Sequence, residues 1–207
     1  METEHRKARG IPSLADEAYR RAMMALLEEK PFETITVSSI IARAGYSRAG
    51  FYQYYDSKYD LMQRLLEDEA DRYTEILCGC VPAGTSMPIS EDFSYRITRD
   101  TFQNVFGKKA LYRFIINSEQ EAYGREAFCR LVTERFLDKA EIRRDDSRVD
   151  PELENIFYYC QTRLYLSYIA YWSQHGFAPS PEEMARQVTC VIRCGMEKAV
   201  LHRHRKR

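Results

Sequence analysis

Thr36-Val-Ser-Ser-Ile-Ile-Ala-Arg-Ala-Gly-Tyr-Ser-Arg-Ala-Gly-Phe-Tyr-Gln-Tyr-Tyr55 is the stretch on which the reading of this 207-residue chain turns. Val37, Ile40, Ile41 and Ala44 stand at i, i+3, i+4 and i+7, so they share one face of a short helix that Thr36 caps. Gly45 breaks that helix. Ser47 then caps a second short helix, 48 to 55, whose Phe51 and Tyr55 lie one turn apart on its inner side. Two short helices joined by Ala44-Gly45-Tyr46 form a helix-turn-helix pattern, in which the second helix enters a DNA major groove.

Working outward, the chain looks helical throughout. Its seven prolines, at 12, 31, 82, 88, 151, 179 and 181, leave long proline-free gaps. A proline inside a helix costs about 3 kcal/mol, so the helices must lie in those gaps. No Asn-Gly or Asp-Gly hairpin signal occurs. Ser13-Leu-Ala-Asp16 opens a helix to about Lys30, where Pro31 stops it, and Ser57-Lys-Tyr-Asp60 opens another to about Cys78. Gly79 to Ser90 is a Gly/Pro/Ser-rich linker. Beyond it the punctuation predicts helices at 91–106, 108–118, 121–143, 151–175 and 181–203. Asp150-Pro151 and Ser180-Pro-Glu-Glu183 mark two of the starts, and Gly176 ends the helix begun at 151. The fold class is all-α, with a DNA-binding domain at 1–60 and a second helical domain at 61–207.

With Phe51 and Tyr55 turned inward, Ser47, Arg48, Ala49, Gly50, Tyr52, Gln53 and Tyr54 remain on the outer side of the second helix. Arg48 suits guanine bidentately, Gln53 suits adenine, and tyrosine hydroxyls suit phosphates. The small residues Ala49 and Gly50 would let the backbone approach the duplex. For Tyr52 and Tyr54 the alternative is a tyrosine packed on the surface, and Arg43 fits a solvated helix charge.

The string Thr36 to Leu61 resembles the tetracycline-repressor (TetR/AcrR) family of bacterial transcription regulators. The resemblance rests on a Thr-Val-x-x-Ile-Ile-Ala helix, Ala-Gly-x-Ser-Arg, Phe-Tyr-x-x-Tyr and Ser-Lys-x-x-Leu, and spans roughly residues 10 to 66. It implies that Thr36 and Ser47 bond operator phosphates besides capping their helices. It further implies that Arg48 and Gln53 face bases while Tyr52, Tyr54 and Lys58 grip phosphates. Three positions depart from the family pattern: Tyr46 for Val or Ile, Tyr54 for His, and Gly50 for Thr, Ser or Asn.

A single helix-turn-helix reads few base pairs, so a homodimer on a pseudo-palindromic double-stranded operator is expected. The interface candidates are on the last two helices: Leu166, Ile169 and Trp172 on the first, with Val188, Ile192, Gly195, Met196 and Ala199 on the second. A second stripe on the first of these helices is Leu153, Ile156, Phe157, Cys160, Leu164, Tyr168 and Tyr171. A four-helix bundle, two helices per subunit, fits this pattern; the alternative is that these faces form the chain's own core. Family members commonly release DNA when a small effector binds the C-terminal domain. Aromatic candidates for such a pocket are Phe102, Phe106, Tyr112 and Phe114, then Tyr123 and Phe128, then Tyr158, Tyr159 and Tyr165. The alternative function is a DNA-anchored regulator whose C-terminal domain binds a protein partner.

Composition narrows the classes. Lys+Arg and Asp+Glu both number 31, so the net charge is zero, and residues 1–60 balance nine against nine. A strongly basic polyanion binder is excluded, although Arg6, Lys7, Arg9, Arg48 and Lys58 can still make a local basic face. The basic tail His202-Arg-His-Arg-Lys-Arg207 fits a frayed solubilising end, the alternative being added non-specific affinity for phosphates. Aromatics at 13% exclude a disordered chain. No apolar run reaches the ~18 residues of a membrane span, and Met1-Glu-Thr-Glu-His-Arg-Lys shows no apolar leader. Six cysteines in such a chain are expected reduced, in a cytoplasmic protein. Cys190/Cys194 and Cys78/Cys80 lack companion ligands, so no metal is expected, and no cofactor loop or catalytic signature is present. An enzyme is not expected.

Overall fold

The computed structural model describes residues 13–79, 91–119, 123–143 and 151–201. The linker over 80–90, the N-terminal arm, Asp150 and the basic tail lie outside them. Among the described residues there are nine α-helices and no strand. They are α1 (Leu14–Glu29), α2 (Val37–Ala44), α3 (Arg48–Tyr54), α4 (Lys58–Gly79), α5 (Glu91–Gly107), α6 (Lys109–Asn117), α7 (Arg125–Arg143), α8 (Pro151–Gln174) and α9 (Pro181–Leu201). A 3-10 turn, Phe32–Thr34, follows α1. The chain divides into two compact units, Met1–Leu65 and Leu66–Arg207.

The caps explain the short helices of the first unit. Ser13 Oγ accepts from the Asp16 amide at 3.2 Å and starts α1. Thr36 and Ser39 exchange reciprocal side-chain bonds at 3.1 Å, a full capping box for α2. Gly45 ends α2 at φ 73°, left-handed backbone that favours glycine. Ser47 Oγ accepts from the Gly50 amide at 3.0 Å to open α3. Each cap contributes about 1 kcal/mol, which matters for helices of eight and seven residues. Tyr19, Ala22, Met23 and Leu26 form the inner stripe of α1 and meet Phe32, Ile35, Ile40, Phe51 and Tyr55 in a core from which water is almost wholly excluded. The second short helix stops at Tyr54 because Tyr55 turns extended and sends its ring into that core.

In the second unit α5 runs along α9, and α7 along α8, with α6 touching α5, α7 and α8. Phe102 and Val105 of α5, Phe128 and Val132 of α7, and Met184, Ala185 and Val188 of α9 are buried there. The fully buried Trp172 of α8 takes Phe102 and Phe177 edge-on, both at 5.2 Å, and its Nε1 donates to the Pro179 carbonyl at 2.8 Å. The helix expected from 121 begins at Arg125, because Gly124 lies in the preceding turn and glycine disfavours helix.

The dimer-face expectation needs correction. Leu166, Ile169, Trp172 and Val188 are all buried inside the chain itself, so none is available to a partner. Helix α8 is apolar on two sides, and the side left open is the other one. Ile156, Tyr159, Leu164 and Tyr171 stand there 52%, 49%, 39% and 56% exposed, and Val191 and Ile192 of α9 are exposed as well. Tertiary packing chooses between two apolar stripes that periodicity makes equivalent. Gly195, Met196 and Ala199 lie outside the described side chains.

Candidate nucleic-acid interface

The interface is assembled on the first unit, where α1 supports α2 and α3. Phe51, fully buried, fixes the roll of α3 about its own axis. Arg48, Ala49, Tyr52 and Gln53 then stand exposed as one stripe at i, i+1, i+4 and i+5. Thr36 and Ser47 are exposed at the N-termini of α2 and α3. Helix N-termini present unbonded amides and positive dipole ends, the geometry that phosphate oxygens accept.

Arg48 does not wave freely. Its guanidinium lies 5.7 Å from the Tyr52 ring centre, donates to the Tyr52 hydroxyl at 3.4 Å and reaches Ser38 Oγ at 3.5 Å. Stacking limits the rotamers to be lost when a base is bound. Ser38, exposed on α2, joins this surface and was not anticipated. Its signal was available, since it lies on the side of α2 away from Ile40. Arg43 holds Glu29 with two contacts, 2.5 and 2.7 Å, tying α2 to α1 across an exposed edge.

Three expected contacts are placed differently. Lys58 points inward: Nζ donates to the carbonyls of Phe32 at 2.9 Å, Glu33 at 3.0 Å and Ile35 at 2.8 Å, and sits 4.7 Å from the Phe32 ring centre. An ammonium has three donors, and all three are engaged. Burial pulls its pKa below the ordinary lysine value, with Glu33 acting in the opposite direction. The 3-10 turn exposes carbonyls that need a cap, and Lys58 supplies it. Tyr54 is half-buried, and its hydroxyl accepts from Ser13 Oγ at 2.7 Å. Gly50 turns toward α1 rather than outward, because its Cβ direction meets the Tyr19 hydroxyl.

Of the aromatic effector candidates in the second unit, the structure buries Phe102, Tyr112, Phe128 and Tyr165. Phe106 and Tyr159 are exposed, Phe114 and Tyr123 half-buried, and Tyr158 lies outside the described side chains. Tyr112 meets Phe128 at 6.1 Å, and Tyr165 shares a 2.9 Å hydrogen bond with Thr98. Beside Tyr112 stands a polar cluster that composition alone concealed. Glu69, 1% exposed, accepts from Asn104 and Tyr112, each at 2.6 Å, and pairs with Lys108. The Tyr73 hydroxyl, fully buried beside it, has no hydrogen-bond partner. Burial pushes the Tyr73 phenol well up, as do the nearby Tyr165, Cys129 and Glu69, and it pushes the Cys129 thiol up to about 11. The sequence signal was a carboxylate interrupting the apolar series Met62, Leu66, Ala70, Tyr73 on α4. No group of three or more metal-ligating side chains occurs among the described residues. No helix there is long and apolar enough to cross a membrane.

Comparisons with known proteins agree with this geometry. Residues 21–65 match a family model described as bacterial regulatory proteins, tetR family, and residues 92–194 match one for a transcriptional regulator C-terminal region. A curated relative, the uncharacterized HTH-type transcriptional regulator YxbF of Bacillus subtilis strain 168, is 20% identical over 178 residues. That match covers 86% of this chain but 44% of the relative, so the chain spans less than half the relative's length. The fatty acid degradation regulator FadR from Bacillus halodurans superposes with a TM-score of 0.63 at 14% identity, covering 92% of this chain and 99% of that one. The TetR family repressor AlkX from Dietzia sp. strain DQ12-45-1b gives 0.57 at 17%, covering 88% and 95%.

Proposed function

Because the chain belongs to the tetR family of bacterial regulatory proteins, we propose that it is a homodimeric repressor of a pseudo-palindromic operator, released by a small-molecule effector. The coarser statement needs no proposal: it is a DNA-binding transcription regulator and not an enzyme. The exposed stripe Arg48, Ala49, Tyr52 and Gln53, opposite the buried Phe51, is the observation that carries the finer one. Arg48 and Gln53 read base edges. Thr36, Ser38, Ser47 and Tyr52 meet phosphates, which position the helix without specifying sequence.

Two features of the second unit support the rest. The apolar side of α8 around Tyr159, Leu164 and Tyr171 is the kind of exposed patch that a second subunit covers. The partnerless Tyr73 hydroxyl beside Glu69 is a buried donor that a ligand oxygen would satisfy. The protein works in the cytoplasm, where its operator is.

Selection from random duplexes tests this reading. An enriched inverted repeat is expected, bound with nanomolar-range affinity that falls steeply with salt. Enrichment of no repeat overturns it. A small-molecule screen by thermal shift, followed by release of the selected duplex, tests the effector half.

A further inference from the structure

Gly50 departs from its family's pattern, and the structure gives the departure a physical cause. A Cβ built on Gly50 would stand 2.9 Å from the Tyr19 hydroxyl and 3.2 Å from Ser47 Oγ. That hydroxyl is fixed, because it donates to the Ser47 carbonyl at 3.0 Å. The ring behind it is fully buried, with Phe51 edge-on at 5.3 Å, Tyr46 at 5.8 Å, and Tyr54 and Tyr55 at 6.4 and 6.5 Å. Close-packed rings have little freedom to slide. Six residues earlier, at the N-cap of α1, Ser13 Oγ donates to the Tyr54 hydroxyl at the other end of α3. Helix α1 therefore braces the recognition helix at both ends through hydroxyl groups.

We infer that Tyr19, seated against the bare Gly50, is a specificity-determining positioning residue: its hydroxyl sets how far the first turn of α3, and Arg48 with it, stands from α1. This rests on the DNA-binding reading above. Restoring an ordinary 3.4 Å contact around a Cβ at position 50 lifts the helix by about half an ångström. Hydrogen bonds to base edges are confined to about 2.7–3.2 Å, a range no wider than that displacement, so a bidentate Arg48 contact is lost or moved to another base. Neither Tyr19 nor Gly50 needs to touch DNA for operator preference to depend on both.

The test is a four-protein cycle: the parent, Tyr19→Phe, Gly50→Ala and the double variant. Each is measured for its preferred duplex by selection, its affinity for the parent's duplex, and its thermal midpoint. Gly50→Ala is expected to weaken binding about tenfold, the scale of one lost base contact, and to enrich different bases opposite Arg48. Tyr19→Phe alone deletes the bond to the Ser47 carbonyl and is expected to shift the preferred sequence as well; in that background Gly50→Ala meets no oxygen, so it changes preference and affinity little further and raises the midpoint, alanine being the better helix former. A merely structural contact would move the midpoint and leave the preferred sequence alone; that outcome overturns the inference. So does a Gly50→Ala protein with unchanged affinity. If Gly50→Ala fails to fold, a folded, binding double variant supports the pair and an unfolded one refutes it. A parent that enriches no duplex overturns the DNA reading itself, whereas a binding parent with an indifferent Gly50→Ala overturns this inference alone.

Discussion

The ammonium of Lys58, at the first residue of α4, donates to the carbonyl of Ile35 at 2.8 Å, closing the turn between α1 and α2 from the far side. It also bonds the Glu33 carbonyl and adds a second donor to the Phe32 carbonyl, which already accepts from the Ile35 amide at 3.1 Å. A lysine that looks like a phosphate clamp in sequence is thus a staple of the unit that presents the recognition helix.

Lys58→Met keeps the stem and removes the donors; the Phe32 carbonyl keeps its bond from the Ile35 amide, while those of Glu33 and Ile35 lose the ammonium. The expected loss is about 1–3 kcal/mol of stability. A phosphate contact would behave otherwise, lowering the salt slope by about one counterion. The denaturant midpoint is therefore expected to fall while the slope of log affinity against log salt stays as in the parent.

Arg48→Ala is expected to cost about 1–3 kcal/mol at one base-pair position and to relax preference there. Tyr52→Phe removes a phosphate-facing hydroxyl and weakens binding to every duplex alike. Affinities on a panel of single-base variants separate the two.

Tyr73→Phe deletes a buried hydroxyl that has no partner, so the effector-free protein should gain up to about 1 kcal/mol. A higher thermal midpoint and a smaller effector-induced shift are the paired expected readings. A lower midpoint would show that the hydroxyl is already satisfied.

The buried phenols Tyr73, Tyr112 and Tyr165 all have pKa values raised above the ordinary 10, burial being the first cause in each. In the unfolded chain they ionise near pH 10, while in the folded chain they stay protonated. The unfolded state then holds fewer protons, so their stabilisation is complete below pH 10 and is lost as pH climbs above it. Urea midpoints from pH 9 to 11.5 should be flat and then fall. Tyr73→Phe should make the fall shallower.

Leu164→Asp together with Tyr171→Asp puts charge on the open side of α8 and should yield folded monomers by sedimentation. Leu166→Ala, inside the subunit, should instead cost about 2–5 kcal/mol and leave the assembly state of the folded protein unchanged.

Local chemistry carried most of the fold. Thr36 with Ser39, Ser47 with Gly50 and Gly45 at its left-handed turn act within four residues, so the helix boundaries around the interface were legible from spacing. The apolar period also put Phe51 inward and so put Arg48, Ala49, Tyr52 and Gln53 outward. Gly124 marks the limit of spacing: the helix expected from 121 begins only at Arg125, past the glycine.

What the sequence by itself determined was the order of helices, the helix-turn-helix and the outer face of α3, because each depends on neighbours one turn away. Only the tertiary structure decided where long-range partners send a side chain. Lys58 turns inward to carbonyls 23 to 26 residues distant, Gly50 yields its space to Tyr19, and Glu69 enters the core because Asn104, Lys108 and Tyr112 neutralise and bond it. The two apolar sides of α8 have the same period, and packing against α5 through Trp172 and Phe102 settled which one is covered. Periodicity fixes directions around a helix axis; what lies in each direction belongs to the rest of the chain.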